Sequence, residues 1–208
     1  DSVANGRPNA LSVIATGAEG SLFHAPDTYM DKIACGPAAK GVIDLDASIE
    51  EHIGRVAEKL HKKIEDMVLI ALDREYNQAT IEEIRRVGAR VRLITDGDVA
   101  GAIATCMPDS GVDLLIQRGA SAEAVLAAVA IKCLGGDFQA RLAPKNDEHL
   151  ARVHAMGITD VTKKLTMEDL ARGEDLTFTA TGVVDGPLLK GARYAGGMCV
   201  THSVVMRV

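Results

Sequence analysis

Tryptophan is absent from this 208-residue sequence, and there are only three tyrosines and three phenylalanines. A stacking platform for single-stranded nucleic acid needs more aromatic surface than that. Positive charge is short as well: 23 Lys and Arg against 29 Asp and Glu leave a net charge of −6. A general nucleic-acid binder needs a cation excess to neutralise phosphates, so that class is excluded. The four cysteines, Cys35, Cys106, Cys133 and Cys199, are spaced too widely for a zinc knuckle or a redox pair. Buried free thiols in a reducing compartment are expected instead. No apolar run reaches the ~18 residues of a membrane span. No charged-then-apolar leader opens the chain. A cytoplasmic protein that uses neither membrane nor nucleic acid is the expectation. No G-x-x-x-x-G-K-[ST] occurs, and no G-x-G-x-x-G opens a first helix. A Walker-type NTPase is thereby excluded, and a dinucleotide site is poorly supported.

What is present is an ordinary globular balance, 47% hydrophobic and 25% charged. The chain is long enough to bury a core without disulfides or a structural metal. Its first residue is Asp1 and its first methionine Met30, so a chain that is either cut from something longer or has lost its beginning is expected. Residues 10–15 and 32–35 read as short strands. Ser48-Ile49-Glu50-Glu51 is a capping box that opens a helix. From residue 67 the pattern turns regular. Apolar runs at 67–72, 91–94 and 112–116 alternate with helical stretches at 77–87, 99–106 and 122–134. That alternation predicts an open, mainly parallel sheet covered by helices. Helices are expected over 146–156 and 166–172, and antiparallel strands over 176–181 and 199–207.

Ligands of such sheets bind at the carboxyl ends of the strands. Three loops fall there: Asp73-Arg74-Glu75-Tyr76, Asp96-Gly97-Asp98 and the stretch from Arg118 to Glu123. Taken singly, Asp96 and Asp98 read as helix caps, Glu123 as a first-turn acid and Arg74 as an exposed loop residue. Taken together, acids and an arginine on one edge suit a divalent cation and a sugar phosphate. The cation would polarise a phosphoryl oxygen, the acids would accept sugar hydroxyls, and Arg74 would neutralise a phosphate.

Ala4-Asn5-Gly6, Ala25-Pro26-Asp27-Thr28-Tyr29-Met30-Asp31-Lys32, Asp96-Gly97-Asp98, Cys106-Met107-Pro108-Asp109-Ser110, Ala180-Thr181-Gly182 and Asp185-Gly186 stand in this order. In this the chain resembles the class II fructose-1,6-bisphosphatases, whose cyanobacterial members also accept sedoheptulose 1,7-bisphosphate. The resemblance implies an inositol-monophosphatase-like α/β fold, layered α/β/α/β/α and incomplete at its N-terminus. Residues 1–45 would be the remainder of an N-terminal sheet domain, and 46–208 a C-terminal α/β domain with antiparallel additions. It implies metal-dependent hydrolysis of the 1-phosphate of fructose 1,6-bisphosphate, with Mg²⁺ or Mn²⁺, in a homo-oligomer (a dimer or tetramer). Tyr29, Arg74, Glu75, Tyr76, Asp96, Gly97, Asp98 and Ala120 fall at its substrate-contacting positions, and Glu123 at that of a metal-reaching acid.

Three motifs depart from the family. Its G-G-A-P-E-G reads Gly119-Ala120-Ser121-Ala122-Glu123-Ala124, and its Pro-Arg-His reads Glu75-Tyr76-Asn77. The stretch Gly182-Val183-Val184-Asp185-Gly186 differs as well. The family's Asp-Pro-hydrophobic-acid-Gly-Thr, with further metal acids, belongs ahead of Asp1. The competing readings are therefore a sugar-phosphate-binding paralogue or fragment with impaired catalysis, and an unrelated α/β nucleotide or signalling domain.

Overall fold

The computed structural model describes residues 3–4 and 8–208, so Asn5 and Gly6 lie outside it. The elements in chain order are β1 (Leu11–Gly17), β2 (Tyr29–Cys35), α1 (Ile49–Leu60), β3 (Val68–Leu72), α2 (Gln78–Val87), β4 (Arg90–Ile94), α3 (Asp98–Ala104), β5 (Leu114–Ala120) and α4 (Ser121–Cys133). There follow β6 (Asp137–Leu142), α5 (Asp147–Ala155), α6 (Met167–Leu170), β7 (Leu176–Gly182), β8 (Arg193–Ala195), β9 (Met198–Val200) and β10 (Ser203–Arg207). The Ser48 box forms as expected. Its hydroxyl accepts the Glu51 N–H at 3.2 Å, and the Glu51 carboxylate accepts the Ser48 N–H at 2.8 Å.

The described residues build a five-stranded sheet in the order β4-β3-β5-β2-β6. Strands β3, β4 and β5, the three apolar runs of the sequence, are neighbours and parallel, as expected. Strand β2 lies antiparallel between β5 and β6, which makes the sheet mixed. A three-stranded antiparallel sheet, β1-β7-β10, and a small β8-β9 hairpin complete the set. The boundary expected at 45/46 has strands of both larger sheets on either side of it.

Helix α4 explains how the two larger sheets stack. Ala124, Val125, Ala127, Ala128, Val129, Ala130 and Ile131 are all buried, so the helix is apolar around nearly its whole circumference. A helix apolar all round must be covered on all sides. It packs against β2, β5 and β6 of one sheet and β1, β7 and β10 of the other, joined by Phe138, Phe178 and Leu176 in one core. Alanine lets both sheets approach it closely. Helices α1 and α2 cover the opposite face of the five-stranded sheet through Ile53, Val56 and Ile84 against Ile33, Leu69 and Leu114. The described residues thus form α/β/α/β layers. The far face of the outer sheet carries exposed Ile14 and Val205, both paired across Thr179.

Three expectations change. The sequence reading has no strand at 137–142, yet β6 forms there. Phe138, Ala140 and Leu142 face the core between Asp137, Gln139 and Arg141, and the polar alternates disguise the strand as a loop. The run expected as one strand at 199–207 breaks at Thr201-His202 into β9 and β10, which belong to different sheets. The thiols are free, and burial pushes Cys35 up to about 12 and Cys106 to about 11. Cys199, however, is exposed on β9.

Two glycines give opposite predictions for stability. A Cβ at Gly36, just after β2, would strike the Thr105 backbone carbonyl beyond α3. Gly36→Ala is expected to cost about 2–3 kcal/mol by overpacking. Gly54, inside α1, has open space around it. Gly54→Ala is expected to stabilise by about 0.5–1 kcal/mol through the helix propensity of alanine. Urea titration of both variants checks the pair.

Candidate substrate cleft

Because β3, β4 and β5 are parallel, their carboxyl ends share one edge of the sheet. Residues after Leu72, Ile94 and Gly119 therefore come together although they are far apart in sequence. Strand β2 runs the other way, so its first residue reaches the same edge: Tyr29 sits opposite Ala120 in the register. The result is a cleft of about 670 Å³ lined by Tyr29, Arg74, Tyr76, Asp96, Gly97, Asp98, Ala120 and Glu123. Glu75 falls outside it. It is exposed and lines an adjoining hollow of about 350 Å³ that shares Tyr29 and Tyr76 with the cleft.

The side chains differ in how firmly they are held. The Tyr29 ring meets Tyr76 at 5.3 Å, tilted by 57°, and stacks on His149 of α5 at 5.8 Å. His149 Nδ1 lies 3.0 Å from the Thr28 hydroxyl. Partial burial, with Tyr29 close by, raises the Tyr76 hydroxyl pKa above the usual phenol value. Arg74 is half-buried, and its Nη1 donates to the Asp73 carbonyl at 3.2 Å. Neither Asp96 nor Asp98 caps α3 with its side chain: Asp96 Oδ1 accepts the N–H of Gly97 at 2.9 Å. Gly97 has φ +91°, a left-handed value suited to glycine. Glu123 is half-buried in the first turn of α4, where the helix dipole favours a carboxylate.

Asp98 is tied into the protein. Lys32, 1% exposed, donates its ammonium to Asp98 Oδ2 and, at 2.7 Å, to the Ala120 carbonyl. Gln117, also buried, donates to Asp98 Oδ1 and accepts the Leu72 N–H at 2.7 Å. This network links β2, β3, β5 and α3 beneath the cleft floor. A Cβ at Gly119 would collide with Asp98 and sit tightly against Lys32. Asn77, 1% exposed, joins β3 to β5 by bonding the Leu72 carbonyl and both backbone groups of Arg118.

Lys32, Gln117, Asn77 and His149 were not identified from sequence. Lys32 had a visible signal, a lone cation in the apolar run before Ile33-Ala34-Cys35. Gln117 and Asn77 had none, because a buried amide reads like any loop residue until its partners are known. For the metal expected at Glu123, the donor set is thin. Among the described residues no three His, Cys, Asp or Glu side chains stand together as a metal site.

Against known proteins, residues 1–208 match the model of "bacterial fructose-1,6-bisphosphatase, glpX-encoded". The chain is 41% identical to the fructose-1,6-bisphosphatase class 2 of Haemophilus influenzae, over 98% of this chain and 65% of that protein. It is 40% identical to the D-fructose 1,6-bisphosphatase class 2/sedoheptulose 1,7-bisphosphatase 2 of Acaryochloris marina, and 37% to a similarly named protein of Synechococcus sp.. Each of these two alignments covers 98% of this chain and 62% of the relative. The chain thus spans under two thirds of the length of these relatives.

Proposed function

The chain belongs to the bacterial fructose-1,6-bisphosphatase family, and on that premise we propose that its cleft holds a sugar bisphosphate. The reaction proposed for the family's complete site is hydrolysis of the 1-phosphate of fructose 1,6-bisphosphate, with sedoheptulose 1,7-bisphosphate as a second substrate. The observation that carries the reading is convergence. Tyr29, Arg74, Tyr76, Asp96, Gly97, Asp98, Ala120 and Glu123, spread over almost 100 positions of the chain, line one cleft. Arg74 supplies a guanidinium for one phosphate, and Asp96 is placed to accept sugar hydroxyls. Asp98 has both oxygens engaged, so it serves chiefly to fix the floor. The finer fold assignment, an inositol-monophosphatase-like layering, is supported by the α/β/α/β stack around α4.

Family membership implies a metal-dependent phosphatase, with Mg²⁺ or Mn²⁺ the proposed ion. The described residues do not fit an ion by themselves, since they offer Glu123 without a grouped donor set. This observation favours a second reading, a chain that binds the sugar bisphosphate without turning it over. We read the protein as cytoplasmic and as a homo-oligomer, a dimer or tetramer. No helix among the described residues is long and apolar enough to cross a membrane. Tyr194, Met198 and Val200 project, exposed, from the β8-β9 hairpin, which supports a subunit contact.

Arg74→Gln is expected to weaken fructose 1,6-bisphosphate binding by roughly tenfold or more, the worth of a charge-assisted phosphate contact. Calorimetric titration measures it. Unchanged affinity in a folded variant would remove the cleft reading.

A further inference from the structure

A bisphosphate carries two dianionic ends, but among the described residues Arg74 is the one cationic side chain lining the cleft. Asp96, Asp98 and Glu123 line the same cleft. Glu123 would disfavour a second phosphate beside it unless a cation stood between them. The adjoining hollow behind the two tyrosines offers what the cleft does not. It is lined by Tyr29, Glu75, Tyr76, Arg118, Ala143 and Lys145. Tyr76 separates the two spaces, with Arg74 beside one and Arg118 beside the other.

We propose that Arg118 seats the second phosphate of the bisphosphate, in the hollow behind the Tyr29–Tyr76 wall. The proposal rests on the sugar-bisphosphate reading of the cleft. Arg118 is pre-oriented for this task. Its backbone N–H is held by Asn77 Oδ1 at 2.7 Å. Its side chain lies against Asp31, the residue opposite it in β2, with Nε to Oδ1 at 2.7 Å and Nη2 to Oδ2 at 3.1 Å. A guanidinium has five N–H groups in a planar fork, so three remain after that pairing. The side chain is 40% exposed, which leaves it open to an incoming anion. Lys145, exposed on the rim, adds a second positive charge. Asp31 and Glu75 oppose it: Asp31 partly neutralises Arg118, and Glu75 is exposed at the same hollow. The seat therefore discriminates between ligands more than it contributes raw affinity.

The two members of the ion pair give opposite predictions, which a purely structural pair would not. The intact chain, Arg118→Gln and Asp31→Asn are titrated calorimetrically with fructose 1,6-bisphosphate, fructose 6-phosphate and inorganic phosphate. The tyrosine fluorescence of Tyr29 and Tyr76 provides a second readout. Arg118→Gln is expected to weaken the bisphosphate by roughly tenfold and the monophosphate by less than about twofold. Asp31→Asn is expected to tighten the bisphosphate by roughly threefold, because it frees the guanidinium. If both variants move the two sugar phosphates in parallel, or move neither, Arg118 is not the second seat. If Arg118→Gln does not fold, the Asp31→Asn arm decides alone: no gain for the bisphosphate over the monophosphate overturns the proposal. If the intact chain binds neither sugar phosphate, the cleft reading fails, and the proposal fails with it.

Discussion

Lys32→Met is expected to destabilise the protein by about 3–5 kcal/mol, the penalty for leaving one partner of a buried ion pair without the other. For a chain of this size that is a fall in melting temperature of roughly 10 °C. The side chain of Lys32 has no exposed surface and that of Asp98 only 9%, so water cannot take over the lost interaction. The substitution also removes the donor to the Ala120 carbonyl, which marks the junction of β5 and α4 at the cleft. The double variant Lys32→Met/Asp98→Asn tests the mechanism. Asparagine can still accept the Gln117 amide while carrying no charge, so more than half of the loss is expected to return. Thermal melts followed by circular dichroism measure both. A single variant that melts within about 2 °C of the parent would show that the network contributes little, as exposed pairs often do.

That network is also the part of the site least legible in the sequence. The parallel β3, β4 and β5 were legible because each is an apolar run bounded by amphipathic helices. Their shared carboxyl edge follows from topology, so the sequence pattern alone is enough to expect Arg74, Asp96, Asp98 and Glu123 on one cleft. Tyr29 is connected with them only through the ordered family motifs. Nothing in its local sequence says that β2 runs antiparallel between β5 and β6, the feature that brings it opposite Ala120. The role of Asp98 was legible only in part. A carboxylate in an Asp-Gly-Asp loop reads as a ligand for solvent-side groups, and its burial depends on Lys32, 66 positions earlier. Strand β6 was missed for a related reason: its polar alternates, Asp137, Gln139 and Arg141, bond to Gly41, the 43–45 segment and Thr162, none of which is near in sequence.

The last expected result separates binding from turnover. The 208-residue chain is expected to bind fructose 1,6-bisphosphate and yet release no phosphate above the level of buffer containing Mg²⁺ or Mn²⁺. Hydrolysis of a phosphate monoester is so slow in water that efficient catalysis requires roughly 25 kcal/mol of transition-state stabilisation. The cleft can supply only part of that. Charge-assisted contacts of the Arg74 and Arg118 type are worth about 1.5–3 kcal/mol each, and much of that is spent equally on ground state and transition state. The remainder would have to come from ions gathered by several acids. Among the described residues Glu123 has no such company, and Asp98 is committed to Lys32 and Gln117. A single carboxylate binds Mg²⁺ weakly, because the ion gives up its waters reluctantly. Phosphate release is measured with the intact chain and with Glu123→Gln, over a range of Mg²⁺ and Mn²⁺ concentrations, beside a titration that confirms sugar-bisphosphate binding. Equal background rates with intact binding are the expected pair of results. Metal-stimulated release that disappears in Glu123→Gln would instead show that this cleft assembles a working centre around that one acid.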